Sequence, residues 1–131
     1  MQAHEYKVRV YYADTDAAGI VYYANYLRFA EAARGELFRD AGFGRENFLQ
    51  FEKCKGFAVL EVNAKYKAPA RLDDLLTVKT EILKIGGASM KLQQNVWRDD
   101  TLLVEIELTM VCVDKDLKSA PYTKKGIAGH T

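Results

Sequence analysis

Two carboxylates, Asp14 and Asp16, lie in the segment ADTDAAGIVYYA, just ahead of the most plainly helical stretch of the chain. The first N–H groups of a helix have no partner within it and carry partial positive charge, so they can polarise a carbonyl or hold an oxyanion. A carboxylate beside that dipole can attack an activated acyl group or orient a water against one. Gly19 lets the backbone approach a ligand closely. The same residues also fit a polar turn whose negative charge stabilises the helix N-terminus by about 0.3–1 kcal/mol. Composition and spacing alone leave both readings open.

Other residue types narrow the chemistry. The two histidines, His4 and His130, sit near the chain ends, so a Ser–His or Cys–His nucleophile has no well-placed base and a His-dependent dehydratase is not expected. Cys54 and Cys112 are separated by 58 positions with no CxxC or Cys/His cluster, so neither a zinc site nor a disulfide framework is expected, and a reducing compartment is the plain reading. Lys plus Arg number 19 and Asp plus Glu 18, a formal charge of +1, which gives no field to steer a nucleic acid. No uninterrupted apolar window reaches the length of a membrane span, and the start MQAHEYKVRV has no signal-peptide hydrophobic region, so a cytoplasmic protein is expected. With 49% apolar and 28% charged residues, the 131-residue chain reads as one globular domain able to build its own core.

The elements that must position this segment follow from hydrophobic period. Residues 5–12 alternate, with Tyr6, Val8, Val10 and Tyr12 on one face, and read as a half-buried strand. From Asn25 to Ala41 the period becomes helical, with Tyr26, Phe29, Ala30, Ala33, Leu37 and Ala41 on one stripe. Asn25 is the expected N-cap and Gly42 the C-cap, while Gly35 inside the helix suggests something packed closely against it. After a looser stretch, 43–55, strands are expected at 57–67, 75–85, 88–98 and 102–113. Ala58, Leu60, Val62, Ala64 and Tyr66 share a face in the first of these, and Gly86-Gly87 forms a hairpin between the second and third. The order β-α-β-β-β-β implies an α+β domain, one long helix lying across a five- to six-stranded antiparallel sheet. The core spans about 5–114, with 115–131 as an aperiodic C-terminal segment in which Lys124-Lys125 reads as a solvated tail.

YYADTDAAGIVYYANYLRFAEAARGEL (residues 11–37) resembles the signature of hotdog-fold acyl-CoA thioesterases of the 4-hydroxybenzoyl-CoA thioesterase and YbgC type: an Asp in a (T/C)D-x-x-G-x-V-(Y/W) loop, an N-Y pair opening the central helix, then E-x-A-R. The resemblance continues through KYKAPARLDDLLTVKTEI (65–82), GAS (87–89) and VCVD (111–114). It implies a helix wrapped by the antiparallel sheet, pairing of two such units into dimers that assemble further into tetramers, and hydrolysis of an acyl-coenzyme A to free acid and coenzyme A. No metal and no other cofactor is implied, coenzyme A being part of the substrate.

Carried over residue by residue, the resemblance makes Asp16 the catalytic carboxylate, as nucleophile or as general base on water. Tyr23 takes the position whose backbone N–H faces the thioester carbonyl. Gly19, Val21, Tyr22, Asn25, Tyr26 and Ser89 fall around the substrate, Ser89 from the hairpin that approaches a partner subunit's site. YbgC-type members commonly have His where this chain has Tyr23. The backbone donor survives that change, but a histidine proton donor does not. Members often carry a basic residue where Gly86 and Gly87 stand, so Lys84, Lys91, Lys65 and Arg71 are the candidates for the nucleotide end of coenzyme A. Among residues read without the resemblance, Asp14 is expected to cap the loop and Glu31 to pair with Arg34 one helical turn on. Tyr11, Tyr12, Tyr22 and Tyr26 are expected either in the core or along an acyl pocket. The alternative function is a non-catalytic acyl-CoA or acyl-carrier-protein binder. Acyl-chain preference stays open.

Overall fold

The computed structural model describes residues 3–42, 54–116 and 118–120. Strand β1 (His4–Arg9) is followed by a 3-10 turn at Tyr12–Asp14 and by helix α1 (Asn25–Asp40). Four strands complete the domain: β2 (Gly56–Tyr66), β3 (Leu75–Ile85), β4 (Ser89–Arg98) and β5 (Thr101–Val113). They form one five-stranded antiparallel sheet in the order β1-β3-β4-β5-β2. The looser stretch at 43–53, the Lys124-Lys125 tail and His130 lie outside the described residues.

Alternation builds the sheet's inner face. Leu76 and Val78 of β3, Leu92 and Val96 of β4, and Val104, Ile106, Leu108 and Met110 of β5 are all buried, and Phe29, Ala30 and Ala33 of α1 close over them. The helix thus hides its stripe against a sheet whose opposite face carries charge, including the Lys67–Glu105 and Lys91–Glu107 pairs.

Several boundaries differ from the periodic reading. The alternation through Tyr12 stops at Arg9, because Tyr11 to Thr15 fold into a 3-10 turn that leaves Tyr12 exposed. In β2 the register shifts between Val59 and Glu61, so Leu60 is an extra residue and the phase changes there. Phe57 and Val59, opposite the buried Cys112 and Met110, therefore share a face with Val62, Ala64 and Tyr66, in place of Ala58 and Leu60. Asn25 is not the N-cap but the first helical residue; Ala24 holds the cap position with no side-chain bond. The C-cap is Ala41 rather than Gly42, which follows it with φ 87° and its N–H on the Arg39 carbonyl at 3.1 Å. Among the described residues nothing lies within 4 Å of a Cβ built on Gly35.

The cysteines are also a correction. Cys54 and Cys112 are disulfide-bonded, both fully buried, with Cα atoms 5.5 Å apart. Their 58-residue separation hides the fact that β2 and β5 are sheet neighbours, which brings the start of one strand beside the end of the other. Cysteine usage therefore gives no case for a reducing compartment.

Candidate active site

The DTD segment is a closed loop, not an open turn. Val10 exits β1 with its N–H on the Asp74 carbonyl at 2.9 Å. After the 3-10 turn, Thr15 and Val21 pair as an antiparallel bridge, and within it the Asp16 N–H donates to the Ile20 carbonyl at 2.9 Å. Gly19 closes the turn through its N–H to the Asp16 carbonyl at 3.0 Å, with a φ of 78° that favours glycine. The Asp16 side chain is exposed and accepts the Ala18 N–H on Oδ1 at 2.9 Å. On the far side, Val21 donates to the Ala70 carbonyl at 2.9 Å and Ile20 bridges Arg71.

The loop then enters the helix. Tyr22 N–H donates to the Asp14 carbonyl at 2.9 Å, and Asn25 N–H to the Tyr22 carbonyl at 2.8 Å. The Tyr23 N–H has no protein acceptor among the described residues, as befits an amide at the start of a helix. The Tyr23 ring is 60% exposed and lies between Tyr22, at 4.9 Å between ring centroids, and Tyr66 of β2, at 6.0 Å edge-on. Partial burial, followed by the neighbouring Tyr23, raises the Tyr66 phenol above its ordinary pKa.

The expected site residues separate into groups. Asp16, Gly19, Tyr22 and Tyr23 are brought together on the exposed loop and helix entry. Asn25 stands there too, but its Nδ2–H donates to the Asp14 carbonyl at 2.9 Å, so the side chain braces the loop. Val21 and Tyr26 are each only 3% exposed and belong to the frame beneath. Ser89 is not near them within this chain. It follows the far end of β3, about 35 Å of strand from the 70–74 segment beside Asp16.

Glu31 and Arg34 form no ion pair among the described residues. Arg34 instead donates to Gln94 Oε1 at 2.9 Å, and burial lowers its pKa from the ordinary arginine value, partly offset by Glu31. Gln94, fully buried, also donates to the Ala30 carbonyl at 2.9 Å and Thr80 Oγ1 at 3.0 Å. Its signal in the sequence was a lone amide in phase with Met90, Leu92 and Val96. Of the basic candidates, Lys91 is paired to Glu107 at 3.1 Å, and Arg71 is the one whose backbone adjoins the Asp16 loop.

Two open grooves flank the helix entry. One, about 550 Å³, lies toward β1 between Tyr6, Arg9, Tyr11, Asn25 and Arg28. The other, about 500 Å³, runs between α1 and the β2–β5 edge and is lined by Leu27, Glu31, Arg34, Val59, Val62 and Leu108. Among the described residues no His, Cys, Asp and Glu side chains cluster as a metal site, and no helix is long and apolar enough to cross a membrane.

Residues 18–105, which include the end of this loop, the helix and most of the sheet, match the thioesterase superfamily. The chain belongs to that superfamily. It is 45% identical over 115 residues to the acyl-CoA thioester hydrolase YbgC of Escherichia coli O6:H1, covering 87% of this chain and 84% of that one. It is 40% identical to the acyl-CoA thioesterase YbgC of Haemophilus influenzae, over 83% of this chain and 79% of that one. Among solved structures, a probable thioesterase from Bartonella henselae superposes with a TM-score of 0.83 at 32% identity, over 91% of this chain and 98% of that one. A 4-hydroxybenzoyl CoA thioesterase mutant complexed with 4-hydroxybenzoyl CoA reaches a TM-score of 0.85 at 24% identity, over 92% and 93%. That last likeness is one of fold. The single helix on a five-stranded antiparallel sheet is thus the hotdog architecture of these thioesterases.

Proposed function

We infer that this thioesterase hydrolyses acyl-coenzyme A esters, with Asp16 acting on the thioester carbonyl, as nucleophile or through an activated water, and the Tyr23 amide holding the developing oxyanion. The observation that carries this reading is the pairing of an exposed carboxylate with an unpartnered helix-entry amide, both on one hydrogen-bonded loop. In comparable sites one such donor is worth about 2.7–4 kcal/mol. The identity to acyl-CoA thioester hydrolases supports the substrate class.

The active unit in this reading is a homo-oligomer. Strand β2 is the last in the sheet, so among the described residues its outer edge has no strand neighbour, and Val59, Leu60, Val62 and Tyr66 are exposed along it. A second copy added at that edge covers these side chains and roofs the groove between α1 and β2, turning it into an enclosed acyl pocket.

The test is free-thiol release from short, long and benzoyl-type acyl-CoA esters by the wild type and by Asp16→Asn, with thermal melts of both. Release by the wild type that collapses in an equally stable variant supports the mechanism. Undiminished release by Asp16→Asn would overturn it, and no release from any ester would move the assignment to acyl binding.

A further inference from the structure

We propose that Asp14 and Arg28 form a positioning pair that sets the Asp16 loop against the start of the helix. The two carboxylates of the DTD segment have opposite surroundings. Asp16 is exposed, and its hydrogen-bond partners among the described residues, Ala18, Gly19 and Ile20, all belong to its own turn. None of these bonds reaches α1; the loop's exit is linked to it only indirectly, from Val21 through Ala70 to Tyr26.

Asp14 supplies a direct link to α1. It is only 6% exposed, and both carboxylate oxygens are engaged. Oδ2 accepts the Tyr11 N–H at 2.9 Å, and Oδ1 accepts Nη2 of Arg28, the fourth residue of α1. The Asp14 carbonyl accepts the Tyr22 N–H and the Asn25 Nδ2–H, each at 2.9 Å. One residue thereby ties the loop's entry, its exit and two positions of the helix's first turn.

Arg28 is itself steadied. Its guanidinium carbon lies 5.1 Å from the Phe29 ring centroid, and Phe29 is buried in the core. Arg28 is 58% exposed, so solvent screens the pair and its contribution to overall stability is small. Its weight falls on geometry. The single Nη2–Oδ1 contact fixes where the Asp14 carboxylate meets the helix, and a misplacement of about 1 Å at a reacting group costs on the order of a hundredfold in rate. The arrangement also distinguishes the two aspartates: Asp14 is buried with both oxygens hydrogen-bonded and its charge balanced by Arg28, whereas Asp16 is exposed.

This proposal rests on Asp16 as the reacting carboxylate, and the experiment separates the two. Steady-state acyl-CoA hydrolysis is measured for the wild type, Arg28→Gln, Arg28→Lys, Asp14→Asn and Asp16→Asn, beside thermal melts. The expected result is a fall in kcat of about tenfold or more for Arg28→Gln with KM within about twofold, a melting temperature close to the wild type, and partial recovery of kcat in Arg28→Lys. Combining Asp14→Asn with Arg28→Gln is expected to cost little more than either change alone, as befits one device. A kcat for Arg28→Gln within about twofold of the wild type, while Asp16→Asn is inactive, overturns the positioning role and leaves the catalytic reading intact. Full activity in Asp16→Asn overturns both. Should Asp14→Asn not fold, the two Arg28 variants alone decide the outcome.

Discussion

The phenol of Tyr26 accepts a hydrogen bond from the Ala70 N–H at 2.9 Å, and the carbonyl of the same Ala70 accepts the Val21 N–H, also at 2.9 Å. One buried residue between β2 and β3 thus joins the helix's first turn to the exit of the Asp16 loop. Tyr26 also meets Phe29 edge-on at 6.2 Å, which holds its ring in the core. The conformation of the loop therefore depends on a tyrosine hydroxyl that never reaches the surface.

Replacing Tyr26 with Phe keeps the ring and removes the acceptor. The Ala70 amide is then left buried without its partner, a loss of about 1–3 kcal/mol. For a domain of this size the melting temperature should drop by about 5–10 °C. Turnover should fall as well, since Val21 is held by the same residue. Differential scanning calorimetry checks the first point and thiol release the second; an unchanged melt would show that the amide finds another acceptor.

The same hydroxyl predicts behaviour at high pH. Desolvation by burial is the largest influence on Tyr26 and raises its pKa above the ordinary 10.0, opposed by the Ala70 bond. The folded state therefore holds this proton more tightly than the unfolded chain. The resulting stabilisation is fully present below about pH 10 and is lost as pH rises through the folded-state value. Melting temperatures should hold steady up to that point and decline above it, with a shallower decline in Tyr26→Phe. Tyrosinate absorbance in the native protein should show phenols that ionise above the ordinary value, one of them lost in Tyr26→Phe. A phenol that titrates at the ordinary value would contradict its burial.

How far the sequence could be read depended on the kind of interaction. Period alone located α1 and β3 closely, because each buries one regular stripe, from Phe29 to Ala33 and from Leu76 to Thr80. It failed where regularity breaks. The bulge at Leu60 displaced half a strand, and hydrogen bonds to Asp14 turned the end of the first alternating run into a 3-10 turn. Asp16 and Tyr23 could be singled out as candidates because motif and helix entry coincide in one segment. Arg28, Gln94 and Tyr66 were not, since each acts through a partner distant in sequence. The cysteine pair was missed for the same reason: only the β2–β5 register reveals it.

Two glycines should respond with opposite sign. Gly19 has φ 78° with open space around a would-be Cβ, so Gly19→Ala meets no clash but forces a left-handed alanine, costing about 1–2 kcal/mol. Its carbonyl-closing bond to Asp16 should distort, and kcat should drop with stability. Gly35 sits in the interior of α1, also with open space, so Gly35→Ala should stabilise by up to about 1 kcal/mol. Paired melts of the two variants test this. A destabilised Gly35→Ala would instead show that the added methyl meets a neighbour at that face.

The disulfide offers the last test. Cys54 and Cys112 close a loop that contains β2, β3, β4 and nearly all of β5, and constraining so long a loop in the unfolded chain stabilises the fold by about 2–4 kcal/mol. Reduction, or the change Cys112→Ser, should lower the denaturation midpoint accordingly. The pair lies at the Gly56–Val113 end of the β2–β5 ladder, whereas Tyr66, which faces Tyr23, lies at the opposite end. Turnover at moderate temperature should therefore persist without the bond. The measurement is a thiol titration of unfolded protein prepared without reductant, followed by melts with and without it. Finding no free thiol and a reductant-sensitive melt supports the pairing; two free thiols and a melt indifferent to reductant would show that the buried cysteines act only as small apolar core residues.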